Sequence, residues 1–579
     1  CGCVQEGNAP CAASKEGLVL DSLAELERAL GTTDLSKVPV VLDAGASFFG
    51  AAATLIALWK KRGVSPAAAS GNLGADPFSA LAGRGALLGS AQDALSQVAA
   101  LAQWTKQNAP NVRAVRVSTA VYAEAGATAV QELAAALATG VAYLAAMESA
   151  GLSAAEASAQ IEFSLSVGTD QFLEIAKLRA MRSLWSRVLE ACSVPAAQQG
   201  IKLHAFTSKR VLTQRDPWVN MLRTTVGCFA SAVGGADAIT IEPFDARLGV
   251  SDELGRRVAR NTQVVLKEES HLARVVDPMG GCWYGETLTE QLAQKAWEAF
   301  QGIMAAGGML AVLQSGKFAQ EIAKVAADRA ANVAKRKDPI TGVSEFPNVN
   351  EAPVALPVID VTALVAASQR ANASAAEAAK SQLAALSGKQ GTALLDAAIA
   401  ALRAGATLVA TSRAAARDAA ATAAALTPAP MAKGFERLRD AADAFKAKTG
   451  ARSRVFLANM GTVAQHTARA TFTRNFFEAG GFETITNDGF ADAAAAAEAF
   501  RKSGAPIAVI CSTDAMYEQV VASVAPALKA AGAREVVLAG RPGDKEADYK
   551  SAGVGRFIFM GCNVEQTLTE CLAAQGVLS

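Results

Sequence analysis

Hydrophobic positions along this chain follow two periods in alternation. Short apolar runs with polar residues at alternate places read as strands: "VPVVLDAG" (38–45), "AAASGNLG" (67–74), "VRAVRVST" (112–119), "AQIEFSLSVG" (159–168), "IKLHAFTS" (201–208) and "ADAITIEPFD" (236–245). Between them lie long alanine- and leucine-rich stretches with helical spacing, such as "TAVQELAAALATGVAYLAAMESAG" (128–151). Strands alternating with helices imply βα units on a parallel sheet. The number of units over 37–335 predicts a (β/α)8 TIM barrel better than an open sheet.

A proline- and asparagine-rich exit, "AKRKDPITGVSEFPNVNEAPVALP", leads into an alanine-rich region with helical propensity and little β-type sequence. Together they form a linker over 336–450. Five more short strand patterns then follow, separated by helices: "RVFLANMG", "FETITNDG", "IAVICST", "REVVLAGR" and "RFIFMG". They predict a small doubly wound, flavodoxin-like domain over 451–579. Residues 1–36 are set apart as an N-terminal segment.

A chain of 579 residues is too long for one core, which agrees with this division. Its 55 basic and 54 acidic residues leave a net charge of +1, which gives no electrostatic footprint for nucleic acid or an anionic membrane. No apolar run is expected to supply the ~20 residues of a membrane span. The nine cysteines are scattered, which reads as reduced thiols in a cytoplasm and not as a disulfide framework. The opening "CGCVQEGNAPC" lacks an initiator methionine and reads as a processed or truncated start. Its Cys1, Cys3 and Cys11 have no matching ligands nearby, so no metal is expected there.

In a βα barrel, chemistry sits at the C-terminal ends of the strands. The residues there are Asp43, Asn72, Ser118, Gly168, His204 and Glu242. His204 is one of three histidines and could serve as an acid or as a donor to a carbonyl, or be held by backbone groups. His271 lies in a charged helical run and reads as solvated surface. Gly280 and Gly281, in "DPMGGCWYGETLT", allow either close approach of a ligand or a plain turn.

Five stretches, "YAEAGATAVQELAAALATGVAYL", "FLEIAKLRAMRSLWSRVLE", "RDPWVNMLRTTVGCFASAVGGADAITIEPFD", "RRVARNTQVVLKEESHLARVVDPMGGCWY" and the small C-terminal domain, together resemble methylmalonyl-CoA mutase from about residue 35 to the end. The resemblance implies an adenosylcobalamin-dependent radical isomerase that interconverts (R)-methylmalonyl-CoA and succinyl-CoA. It also implies a substrate barrel, a linker and a flavodoxin-like cobalamin domain. Many bacterial members pair a catalytic large subunit with a homologous small subunit that has lost its cofactor site.

The segment "NMGTVAQHTARA" (459–470) bears on which of the two this chain is. Catalytic members carry Asp-x-His-x-x-Gly here, the histidine beneath cobalt and the aspartate orienting it. Aligned from the right, the histidine is His466, with Ala464 and Arg469 where aspartate and glycine belong. Aligned from the left on Gly461, it is Gln465, with Val463 and Ala468. Both supporting residues are absent in either frame. The family's Ser-x-Leu is Cys511-Ser512-Thr513, and its Gly-Gly pair is Ala539-Gly540.

In the barrel, His204 falls on the family's substrate-carbonyl histidine. The Gly-Trp-Ser-Leu-Thr that follows in the family is "KRVLT" (209–213), and a later His-Thr-Asn is replaced within "IEPFD" (241–245). Glu242 and Asp245 are expected to add negative charge where an acyl-CoA carboxylate would bind, and the family's N-terminal arm has no counterpart before Leu18. The resemblance therefore implies a small, non-catalytic subunit of a bacterial cytoplasmic heterodimer. No catalytic or cofactor-binding residue is expected of it; His204, Gly461, His466, Arg469, Cys511 and Gly540 are degenerate counterparts. Adenosylcobalamin and acyl-CoA would be held by the large subunit. The alternatives are an acyl-CoA mutase in its own right, and a regulatory or chaperone-like module on the same fold.

Overall fold

The computed structural model describes residues 18–578, and the backbone of Gly2–Cys3, which pairs with Leu18–Val19. The side chains of Cys1, Cys3 and Cys11, for which no metal role was expected, lie outside the described residues. The chain forms two compact units. The first comprises Cys1–Val211, Met221–Ala326 and Leu356–Ala429, and the second Leu212–Asn220, Ala327–Ala355 and Pro430–Ser579.

All six strand patterns of the first unit form strands: β1 (Val40–Val41), β2 (Gly71–Ala75), β3 (Val112–Ser118), β4 (Ile161–Val167), β5 (Leu203–Thr207) and β6 (Ala238–Thr240). They pair in parallel in sequential order, β1 to β6. The sheet has six strands among the described residues and not the eight expected, and it does not close, since β1 and β6 are both edges. After β6 the chain turns through "DARLGVSDELGRRVARN", whose charges and glycines offer no strand alternation, and it forms the Glu253–Val264 helix instead.

β4 shows what the sheet requires of its residues. Ile161, Phe163, Leu165 and Val167 alternate with Glu162, Ser164 and Ser166, and all seven are buried. One face packs on helices, while the other gathers polar groups. The Ala129–Ser149 helix covers the apolar face at close range, because Gly140 has no side chain. A Cβ there would lie 2.8 Å from Phe163 and 2.9 Å from Trp185, whose rings meet edge-on at 4.7 Å. Thr128 and Gln131 cap the start of this helix reciprocally.

The Ala129–Ser149 helix is long and apolar enough to cross a membrane, contrary to the expectation that no run reaches that length, but 67% of its apolar window is buried in the unit. Its one early charge, Glu132, is 3% exposed and is matched by Lys177 of the Gln171–Ala191 helix at 2.7 Å. Lys177 also reaches Glu174 at 2.7 Å. These acids accept in addition from the Ser166 and Gly168 amides at the end of β4, so the buried charges lock two helices to the strand.

The alanine-rich region is divided into several helices. Val361–Ala378, Gly391–Arg403 and Leu408–Ala415 belong to the first unit, and Lys433–Thr449 to the second. In the second unit all five strand patterns form a parallel sheet: β7 (Arg454–Asn459), β8 (Glu483–Ile485), β9 (Ile507–Cys511), β10 (Glu535–Ala539) and β11 (Arg556–Ile558), in the order β8-β7-β9-β10-β11. The interior strands are continuous apolar runs, as a parallel sheet covered on both faces demands.

Candidate functional site

In the first unit the strand ends bring Asp43, Asn72, Ser118, Gly168, His204 and Glu242 to one end of the sheet, and most of them are used for structure. Asn72 is fully buried, with its amide donating to Val115 O and its oxygen accepting from the Gly74 amide. Gly168 donates its amide to Glu174. Asp43 is exposed. Ser118 donates its amide to Asp76, a residue that no sequence motif marks.

Asp76 also accepts from the Tyr143 hydroxyl at 2.6 Å and from the Ser79 amide. Burial pushes its carboxyl up to about 7 against those three donors, with Asp43 adding to the rise. The polar alternation of the strands would have pointed to this face; nothing in the local sequence marked Asp76 itself.

His204 lies in β5, 6% exposed. Its Nδ1 is 2.7 Å from both Arg116 Nη2 on β3 and Ser164 Oγ on β4, and its Nε2 is 2.8 Å from Thr240 Oγ1 on β6. A guanidinium can only donate, so Nδ1 accepts and the proton sits on Nε2, donating to Thr240. Burial, and then the Arg116 charge, push the imidazole down to about 3. His204 is thus a neutral ring with both nitrogens engaged across four strands, and its one donor is committed inside the protein.

The expected negative charge near this edge is compensated. Glu242 lies 3.7 Å from Lys209 Nζ. Asp245 is fully buried and points into its own turn, accepting from the Ser251 hydroxyl at 2.6 Å and the Asp252 amide. It adds no charge to an open site, which corrects the expectation for that residue. His271 is exposed, as expected. Gly281 has φ +78°, and its amide donates to Glu286, so the Gly280-Gly281 pair makes a turn.

The second unit has its topological switch point between β7 and β9, where a doubly wound sheet opens a crevice beyond the strand ends. Here the β7–β9 ladder runs on past the strand ends. Met460, after β7, donates its amide to Cys511 O of β9 at 2.9 Å and accepts from Ser512 Oγ at 2.8 Å. Gly461 adopts φ +84°; a Cβ there would lie 2.3 Å from Gln465 Oε1. Gln465 is spent as a cap, accepting from the Thr462 amide at 2.8 Å to start the Val463–Glu478 helix.

His466 lies in the first turn of that helix, 4% exposed, with its ring against the 487–490 loop. A Cβ on Gly489 would be 2.8 Å from its Cε1. Its Nδ1 has no hydrogen-bond partner among the described residues.

Arg469, one turn on, reaches from this helix to Asp514, the first residue of the helix after β9, at 3.0 Å. Beneath it, burial pushes the Cys511 thiol up to about 12. The Tyr517 hydroxyl donates to Ala539 O at 2.8 Å and accepts from the Ser512 amide at 2.9 Å. Gly540 faces the same ring, since a Cβ there would lie 3.0 Å from Tyr517 Cε2. Gly461, Arg469, Cys511 and Gly540 therefore gather at one crevice, which the Arg469–Asp514 pair spans, and His466 is buried beside it.

A family model described as methylmalonyl-CoA mutase matches residues 6–421. The methylmalonyl-CoA mutase small subunit of Streptomyces virginiae is 43% identical over 552 residues, covering 95% of this chain and 78% of that one. A probable methylmalonyl-CoA mutase small subunit of Mycobacterium bovis is 36% identical over 97% of this chain and 80% of its own length. The methylmalonyl-CoA mutase small subunit of Propionibacterium freudenreichii subsp. shermanii is 35% identical over 87% and 69%. On a family match over most of its length and relatives that span nearly all of it, the chain belongs to the methylmalonyl-CoA mutase family of isomerases.

Proposed function

We propose that this chain is the small, non-catalytic subunit of an adenosylcobalamin-dependent methylmalonyl-CoA mutase of the bacterial cytoplasm. It supports a homologous large subunit that holds the cofactor and the acyl-CoA and isomerises (R)-methylmalonyl-CoA and succinyl-CoA. The small-subunit names of its relatives support this reading. Six sequential parallel strands support a barrel-type domain over 37–335, followed by a linker over 336–450. The order β8-β7-β9-β10-β11 supports a flavodoxin-like, cobalamin-type domain over 451–579.

The observation that carries the non-catalytic part is the Arg469–Asp514 pair across the switch-point crevice. The residues present do not fit a corrinoid. A cobalt ligand needs an exposed ring nitrogen, with the other nitrogen held by an acceptor. His466 is 4% exposed, and its Nδ1 has no partner among the described residues. The crevice where a nucleotide tail would lie is spanned by the Arg469–Asp514 ion pair. In the barrel, the Nε2 proton of His204 is committed to Thr240 and is not presented to a substrate carbonyl.

The test is titration of the isolated chain with adenosylcobalamin, followed by visible absorption. An unchanged spectrum, with binding only once the large subunit is added, is expected. A saturable base-off shift in the isolated chain would overturn the reading.

A further inference from the structure

Residues Leu212–Asn220 interrupt the first unit in sequence, between Val211 and Met221, but belong to the second. They form a loop closed on itself: Asn220 accepts from the Thr213 amide at 3.0 Å and donates to the Thr213 carbonyl at 2.8 Å. A loop whose ends meet in this way moves as one piece.

Charge holds the loop in place. Arg215 donates to Asp440 and to Asp443, each at 2.5 Å. The two acids lie three residues apart on the Lys433–Thr449 helix, so they share a face and suit the two-pronged guanidinium. The Gln214 amide donates to Glu436 at 2.6 Å and the Asp216 amide to Glu351 at 2.7 Å.

Two features work against this hold. Asp216 adopts φ +46°, a left-handed conformation that stores strain in a residue other than glycine. Arg439 is fully buried beside the same acids, 3.3 Å from Glu351. Burial, and then the Arg215 charge, hold its guanidinium below the usual range, so Arg215 sits against a like charge. The acids also keep partners when Arg215 leaves. Arg452 holds Asp443 at 2.6 Å, Arg439 holds Glu351, and Asp440, 59% exposed, is open to water.

We propose that Leu212–Asn220 is a releasable strap with Arg215 as its catch, drawn in by carboxylates of the second unit and let go when they are screened. Its ends run on into the residues after β5 and into the Asn220–Val233 helix. The catch therefore decides whether that connection is tied to the second unit or free of it.

The test is hydrogen exchange of the full chain, read by mass spectrometry on a peptide covering residues 212–220, with a peptide covering β7 as reference. The Gln214 and Asp216 amides, both bonded to carboxylates, lie in the first peptide. Arg215→Gln should speed exchange there at least tenfold and leave β7 unchanged. Arg215→Lys should give a smaller rise, since one ammonium cannot grip both acids as a fork does. In the wild-type chain, salt at about 1 M, where screening acts within about 3 Å, should speed exchange of the strap at least threefold and not that of β7. A strap equally protected in Arg215→Gln, or indifferent to salt, would overturn the proposal. So would faster exchange in β7 to the same degree, because Arg215 would then support the whole unit and not a separate strap.

Discussion

Arg116 Nη2 donates to His204 Nδ1 at 2.7 Å, and that single contact decides what the histidine can do. A cation on one nitrogen leaves the only proton on the other, which faces Thr240. The folded ring is held well below its ordinary range, at about 3. Stability from this group is therefore fully present above the unfolded value of about 6.5 and is lost as pH falls through 6.5 toward 3. Nitrogen-detected NMR of the His204 ring should show a neutral Nε2–H tautomer throughout pH 5–8. Arg116→Ala should raise the pKa, since it removes the second of the two causes.

Asp76 gives the opposite slope. Its carboxyl is raised to about 7 by burial, so its stabilising contribution is fully present below the unfolded value of about 3.9 and is lost as pH rises through 7. Asp76→Asn keeps the shape but removes one acceptor from three donors, and should cost about 1–3 kcal/mol at low pH. Urea midpoints at pH 5, 7 and 8 should show the gap between variant and wild type narrowing as pH rises. A constant gap would contradict the raised carboxyl.

Lys177 neutralises two buried acids. Lys177→Met leaves Glu132 and Glu174 uncompensated and should destabilise by about 3–5 kcal/mol. The loss should be smaller at pH 5 than at pH 8, because Glu174, whose carboxyl burial already pushes up, can then take up a proton. Denaturant unfolding at the two pH values checks the sign.

Tyr517→Phe removes a hydroxyl that joins the ends of β9 and β10 and leaves the Ser512 amide and Ala539 carbonyl short of a partner. A loss of about 1–3 kcal/mol is expected. By contrast Arg469→Ala breaks a half-exposed ion pair, Asp514 being 76% exposed, and should cost about 0–1 kcal/mol. Comparing the two melts separates the buried stitch from the surface latch.

Every strand predicted from alternation forms, because residues such as Phe163 and Leu165 must face helices while Ser164 and Glu162 cannot. The count of eight was not legible, because closure depends on pairing beyond β6, and local pattern carries no information on pairing partners. Gly461, Arg469 and Cys511 could be placed at one crevice through the family resemblance. The Arg469–Asp514 contact could not, since it joins residues 45 positions apart on different helices. His204 was visible as a histidine at a strand end. Its tautomer depends on Arg116, 88 residues earlier, which no local motif marks.

The Ala129–Ser149 helix has a consequence for biosynthesis. On the ribosome it emerges as a 21-residue stretch with the length and hydropathy of a membrane segment. Lys177, the cation that matches its Glu132, follows 45 residues later. At about 5–20 residues per second that interval is about 2–9 s, during which Glu132 is without its cation and the apolar segment without the helix that covers it. Glu132 is then the residue that argues against insertion, so Glu132→Leu should increase misdirection to the membrane in a coupled translation assay before any effect on the folded protein is felt.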